Sequence, residues 1–215
     1  MSWRERLMTL SRWLVLGALA GVAAGGASAL FLWLLGCATA FRLLHEQLVY
    51  ALPLAGLGIG WVYERWGQPI QAGNNLIIEA IHEGGGAVPL RMAPMVLAGT
   101  VLTHLFGGSA GREGTAVQMG SSLADALSQR LKLPPRLRRQ LLMAGAAGGF
   151  GSVFGTPFAG ALFGLEFTAF SGVELGGLVP ALVASFVGDL TTRALGIQHT
   201  HYPAARASAV TPLLL

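Results

Sequence analysis

Three short stretches combine glycine with small polar residues just ahead of apolar segments. They are Ala72-Gly73-Asn74-Asn75-Leu76-Ile77-Ile78-Glu79, Gly107-Gly108-Ser109-Ala110-Gly111-Arg112-Glu113-Gly114-Thr115, and Gly148-Gly149-Phe150-Gly151-Ser152-Val153-Phe154-Gly155-Thr156-Pro157. A glycine turn feeding a helix leaves the first backbone N–H groups unpaired at the positive end of the helix dipole, with no side chain in the way. Several such ends converging at one place hold an anion without a dedicated base. The candidate anion ligands are therefore Gly73, Asn74 and Asn75 in the first stretch, Gly111, Arg112 and Gly114 in the second, and Gly155 and Thr156 in the third. Between Arg112 and Gly114 stands Glu113. A carboxylate in apolar surroundings is costly in its charged form, so its pKa is expected to rise and the group can carry a proton. Pairing with Arg112 or capping of the helix start is the structural alternative. Glu166, between Leu165 and Phe167, is either a second proton carrier or a buried packing carboxylate.

Other reactive residues lead less far. Ser109 and His104 could serve as nucleophile and base, but a spacing of five does not put them on one helical face, and the chain is not expected to be an enzyme. His199 and His201, at i and i+2 without a nearby Cys or carboxylate, fit a loop better than a metal site. No metal set and no cofactor motif is expected; the stretch from Gly108 to Glu113 lacks the Gly-Lys-Ser/Thr ending of a phosphate-binding loop.

The elements that must position these residues are membrane helices. Of 215 residues 53% are hydrophobic, 11% charged and 31 are glycine, against about 25% charged and about 7% glycine in ordinary domains. The low charge excludes a disordered chain, and the single cysteine, Cys37, excludes a disulfide scaffold. No charge interrupts the chain from Trp13 to Phe41, which as a helix exceeds the roughly 30 Å of a hydrocarbon core and is too long for a signal peptide. Two further runs, Met92 to Gly111 and Gln140 to Leu165, are broken by glycines. Shorter apolar pieces follow at Gln47–Tyr63, Gly114–Ala124, Phe167–Phe170 and Leu175–Gly188. Such pieces read as broken or re-entrant helices around a polar pathway. Gly17, Gly21 and Gly25, at i, i+4 and i+8, read instead as a close-packing stripe.

Two basic clusters, Arg4/Arg6/Arg12 and Arg130/Lys132/Arg136/Arg138/Arg139, set the expected topology. Both face the cytoplasm of an inner-membrane, multi-pass protein whose residues 1–12 form a cytoplasmic start. Without interleaved aromatics neither reads as a nucleic-acid surface. Residues 196–215 read as a C-terminal loop. Asp189 and Glu174, near segment ends, are expected at the interface.

With Gly111-Arg112-Glu113-Gly114 followed by Val117-Gln118-Met119-Gly120, and with Gly155-Thr156-Pro157-Phe158-Ala159-Gly160-Ala161-Leu162-Phe163-Gly164-Leu165-Glu166, the sequence resembles the CLC family of chloride channels and proton-coupled anion antiporters. The segment His199-Thr200-His201-Tyr202-Pro203 fits a loop beyond them. The resemblance implies an all-α membrane fold of two inverted repeats, usually dimeric, with helix amino termini around the anion and Glu113 as gate and proton carrier. Where the family commonly supplies a serine and a proline, this chain has Gly73-Asn74-Asn75-Leu76; Thr115 replaces another usual proline. Both changes resemble the fluoride/proton antiporter branch. The family's two adjacent glutamates correspond here to Glu166-Phe167, so the second proton residue is altered. Leu215 falls about where the first repeat should close, and residues 1–215 are expected to form that repeat. The implied function is fluoride/proton antiport exporting fluoride, with a second copy or a complementary repeat as partner alongside membrane lipid. A chloride channel or chloride/proton antiporter is the alternative within the class; a non-transporting assembly subunit or fragment lies outside it.

Overall fold

The computed structural model describes residues 3–82, 86–167 and 175–199, and among these every regular element is helical. In chain order they are α1 (Trp3–Leu44), α2 (Leu52–Trp66), α3 (Asn74–His82), α4 (Met92–Leu105), α5 (Arg112–Arg130), α6 (Pro135–Phe154), α7 (Pro157–Glu166) and α8 (Leu178–Ala194). Short 3-10 turns at Glu46–Ala51, Ile70–Ala72 and Leu175–Gly177 join them. Proline sets several starts: Pro53 lies in the first turn of α2, and Pro135 and Pro157 open α6 and α7, where a ring-fixed φ suits the helix and no N–H is lost.

α1 runs well beyond its charge-free stretch, and an 18-residue stretch within Met8–Leu44 has mean hydropathy 1.9. The broken runs resolve as expected. Met92 to Gly111 gives the 14-residue α4 and then six non-helical residues, while Gln140 to Leu165 divides between α6 and α7. The expected apolar piece at Phe167–Phe170 lies, apart from Phe167, outside the described residues, as do Glu174, His201 and the loop from residue 200 onward.

α6 forms the centre. Residues 140–149 and 151–153 are buried, with only Phe150 between them half-buried, so this part of α6 is covered all round, with α1, α5, α7 and α8 packed on it. The third glycine stretch therefore differs from its expected form. Gly148, Gly149 and Gly151 belong to α6, and the break is only Gly155-Thr156. Close packing explains this: a Cβ on Gly149 would lie 2.1 Å from Ala116 O, and one on Gly120 would lie 2.1 Å from Gly145 O. α5 and α6 thus touch backbone to backbone. The same contact joins α1 to α8, where Cβ atoms on Gly17, Gly21 and Gly25 would come within 3.1, 2.7 and 2.4 Å of the carbonyls of Pro180, Ala184 and Gly188. Alanine at Gly120 is expected to destabilise the fold by about 3 kcal/mol, the upper end for overpacking. Alanine at Gly36, which meets nothing within 4 Å, should be neutral. Thermal unfolding of the two variants in detergent checks the contrast.

The connection between α3 and α4 is tied down by α5 and α6. Asp125, fully buried, accepts Val88 N–H at 2.7 Å, Ser128 Oγ at 3.0 Å and Gln129 Nε2 at 3.0 Å. Arg138 grips the same carboxylate through Nε at 2.6 Å and Nη2 at 2.9 Å. Arg138 also donates to Gly86 O, Arg139 to His82 O and Ser122 to Pro89 O. A bidentate, hydrogen-bonded pair of this kind has its charges satisfied, which is the condition for a buried ion pair to hold. The pair fixes the α3–α4 connection, and the Arg139 bond to His82 O fixes the carboxyl end of α3, whose other end carries the first polar motif.

Candidate functional site

The first two polar motifs meet. Gly73 adopts φ +59° and ψ −127°, a conformation open essentially to glycine, and turns the chain so that α3 begins at Asn74. Ile77, Ala80 and Ile81 bury its other face in the core. α5 begins one residue after Gly111, which stays extended at φ −70° and ψ 143° as the cap. Gln118 Nε2 donates to Asn74 Oδ1 at 3.0 Å, bridging α5 and α3. With its oxygen engaged, the Asn74 amide directs its Nδ2 donor toward the start of α5, where that atom lies 3.9 Å from the Cβ position of Gly114. Two helix amino termini and a side-chain amide therefore share one corner.

A cleft of about 380 Å³ opens beside it between α2, α4 and the first turns of α5. Its polar wall comes from Tyr63, Thr100, Thr103, Thr115 and Gln118, with Gly111 and Gly114 at the helix start. Thr100 Oγ1 and Thr115 Oγ1 share a 2.6 Å hydrogen bond, and Thr115 Oγ1 also donates to Gly111 O at 3.3 Å. Proline at 115 would carry no hydroxyl for either contact. Tyr63, Thr100 and Gln118 were not among the residues expected from sequence. Gln118 follows Gly111 and Gly114 by seven and four residues, a helical spacing that puts the three on one face; Tyr63 and Thr100 arrive through tertiary packing of α2 and α4, which no local pattern announces.

Glu113 is exposed, not enclosed in apolar surroundings as the sequence suggested. Its Oε2 folds back to 2.9 Å from the Cβ position of Gly111, so the carboxylate has room there because residue 111 has no side chain. Arg112 and Asn75 are exposed too, and Arg112 makes no ion pair with Glu113. Glu166 closes α7 on a face that is exposed on this chain.

Gly155 and Thr156 do not line the cleft. Gly155 ends α6 in the left-handed conformation, φ +67°, donating its N–H to Gly151 O, and His199 packs on it. Thr156 is exposed. The same histidine approaches Asp189, its Nε2 3.4 Å from Oδ1. Asp189, expected at the membrane interface, is buried within the chain and bonded to Arg193 at 3.0 Å near the C-terminal end of α8. His104 Nδ1 donates to Thr100 O at 2.9 Å and Ser109 is exposed, so the two form no nucleophile–base pair. No cluster of three metal-ligating side chains occurs among the described residues.

The chain is similar in sequence and fold to known proteins. A chloride/fluoride channel protein of Pseudomonas syringae pv. tomato is 52% identical over 198 residues, covering 92% of this chain and 44% of the relative. A voltage-gated ClC-type chloride channel, ClcB, of Yersinia pseudotuberculosis is 31% identical over 69% of this chain and 36% of its own length. The crystal structure of a CLC-type fluoride/proton antiporter superposes with a TM-score of 0.86 at 34% identity, over 98% of this chain and 53% of that one. A slow cyanobacterial Cl⁻/H⁺ antiporter shares the fold, with a TM-score of 0.66 at 22% identity. The chain spans about half the length of the relatives it matches. The family model for voltage gated chloride channels matches residues 55–215, and this all-helical membrane chain belongs to that family, the CLC family.

Proposed function

We propose that the chain forms one half of a fluoride/proton antiporter that exports fluoride across the cell's inner membrane, transport and not catalysis being its role. The observation that carries this is the Gln118–Asn74 bridge, which holds the amide donor of Asn74 beside the start of α5. Fluoride is small and strongly hydrated, so a site that replaces its water needs close, fixed donors. An amide and two helix ends supply them where a chloride site of this family supplies a hydroxyl. Glu113, at the positive end of α5, competes for the same ground as a bound anion, and its carboxylate takes up and releases the exchanged proton. The relatives whose names include fluoride support the same choice. In this reading the basic clusters lie on the cytoplasmic side with the amino terminus.

Several of these polar groups are exposed on the chain itself, among them Asn75, Gly111, Glu113 and Thr156. At membrane depth such groups need cover from protein, so the transporting unit pairs the chain with a second copy or a complementary repeat. Gly155 is unsuited to a cross-linking cysteine because His199 occupies the space of its Cβ. The exposed Thr156→Cys, in a Cys37→Ser background, is expected to give a covalent dimer or heteromer in native membranes; a product that stays monomeric would exclude pairing through this face. The functional test is fluoride release from loaded liposomes followed with a fluoride electrode. Release above that of protein-free vesicles is expected, and equality with them would refute transport.

A further inference from the structure

One residue from each basic cluster, Arg12 and Lys132, 120 positions apart in sequence, lines a common groove. It has a volume of about 780 Å³ and lies between the amino-terminal third of α1 and the turn joining α5 to α6. Met8, Val15 and Leu16 line it from α1, with Leu137 from α6; Arg12 and Lys132 are its cations. We propose that this groove binds an anionic phospholipid, with the phosphate on Arg12 and Lys132 and an acyl chain along Val15, Leu16 and Leu137.

Depth is the first reason. Arg12 is the last charge before the uncharged run that starts at Trp13, so it marks the level where hydrocarbon gives way to headgroups, while Val15 and Leu16 lie about one turn deeper. Charge is the second. Arg12 and Lys132 are exposed and neither has an ion-pair partner among the described residues. Glu5, on α1 two turns before Arg12, does not line the groove, whereas the exposed Arg130 and Arg136 add to its positive field. α6 contributes as well. Its cap is Pro134, which makes no side-chain bond to the first-turn N–H groups, so the positive end of a 20-residue helix opens beside the cations. Lys132 itself sits at φ +50°, a left-handed conformation that ordinarily falls to glycine. The turn thereby carries a cation at a position where a smaller residue is conformationally easier. Cations above and an apolar floor below match a diacyl phosphodiester, and a free phosphate would leave the floor uncovered.

Native mass spectrometry of the chain purified in detergent, with equal amounts of phosphatidylglycerol and phosphatidylcholine added, tests this. Retention of phosphatidylglycerol over phosphatidylcholine by roughly thirtyfold is expected, the ratio that two surface cations supply. The pair Arg12→Gln/Lys132→Gln should bring the ratio to parity. Val15→Trp, at an exposed position, should fill the groove and expel the lipid while leaving both charges in place. Parity in the wild type, an unchanged preference in both variants, or displacement by inorganic phosphate would each overturn the proposal. None of these residues belongs to the fluoride site, so the result is independent of whether fluoride is carried.

Discussion

Glu113→Gln is expected to reduce fluoride-driven proton uptake to the leak of protein-free liposomes. The amide keeps the length and shape of the side chain and can still fold back over Gly111, where the carboxylate Oε2 now lies 2.9 Å from the Cβ position. It cannot take up and release a proton at any accessible pH, so the loss is complete and not graded. The dipole also contributes: a carboxylate in the first turn of α5 is favoured by the helix's positive end, and a neutral amide is favoured far less. Fluorescent pH dye trapped inside the vesicles reports the uptake. Proton movement at the wild-type rate in the variant would remove Glu113 from the mechanism. Gly111→Ala gives a second reading of the same contact, since a methyl there displaces the folded-back carboxylate; proton coupling should fall while the α5 helix remains intact.

Asn74→Ala is expected to lower fluoride transport by roughly tenfold to a hundredfold, the range for losing a hydrogen bond to a charged group. Chloride transport should fall by much less. The smaller anion depends more on each close donor, because an unreplaced water leaves more of its hydration energy unpaired. The substitution also frees Gln118 Nε2, whose 3.0 Å bond to Asn74 Oδ1 holds the amide in place. Gln118→Ala should therefore shift selectivity in the same direction, and the double variant should lose less than the sum, as expected for residues acting as one unit. Radiolabelled chloride and a fluoride electrode, read on the same vesicles, give the ratio. Equal losses for both ions would leave residues 73–75 as a structural turn only.

Much of this architecture was legible in local patterns. The long uncharged run marked α1, and the spacing of Gly17, Gly21 and Gly25 announced the close contact with α8 that the carbonyls of Ala184 and Gly188 now show. Gly73 and Gly111 were recognisable as turns before helix starts because backbone chemistry is local. The third glycine stretch was misread for a physical reason. Glycine serves equally as a turn residue and as a close-packing residue inside a helix, and only the partner helix decides. Gly149 against Ala116 O belongs to the second kind. Burial was the other gap. Glu113 and Glu166 stand among apolar neighbours in sequence, yet both side chains are exposed on this chain, whereas Asp189 is buried and ion-paired. Asp125, which ties α5, α6 and the α3–α4 connection together, drew no attention from sequence because its partners Val88 and Arg138 lie 37 and 13 residues away.

Proton movement driven by an anion gradient tests the central claim most directly. The chain is reconstituted in the assembly it forms, with membrane voltage held at zero by potassium and valinomycin and with equal pH on both sides. An imposed fluoride gradient should move protons opposite to fluoride, creating a pH difference from none. A chloride gradient of equal size should create little or no pH difference. Fluoride that dissipates without any proton movement, or chloride that drives protons as strongly as fluoride, would contradict the account.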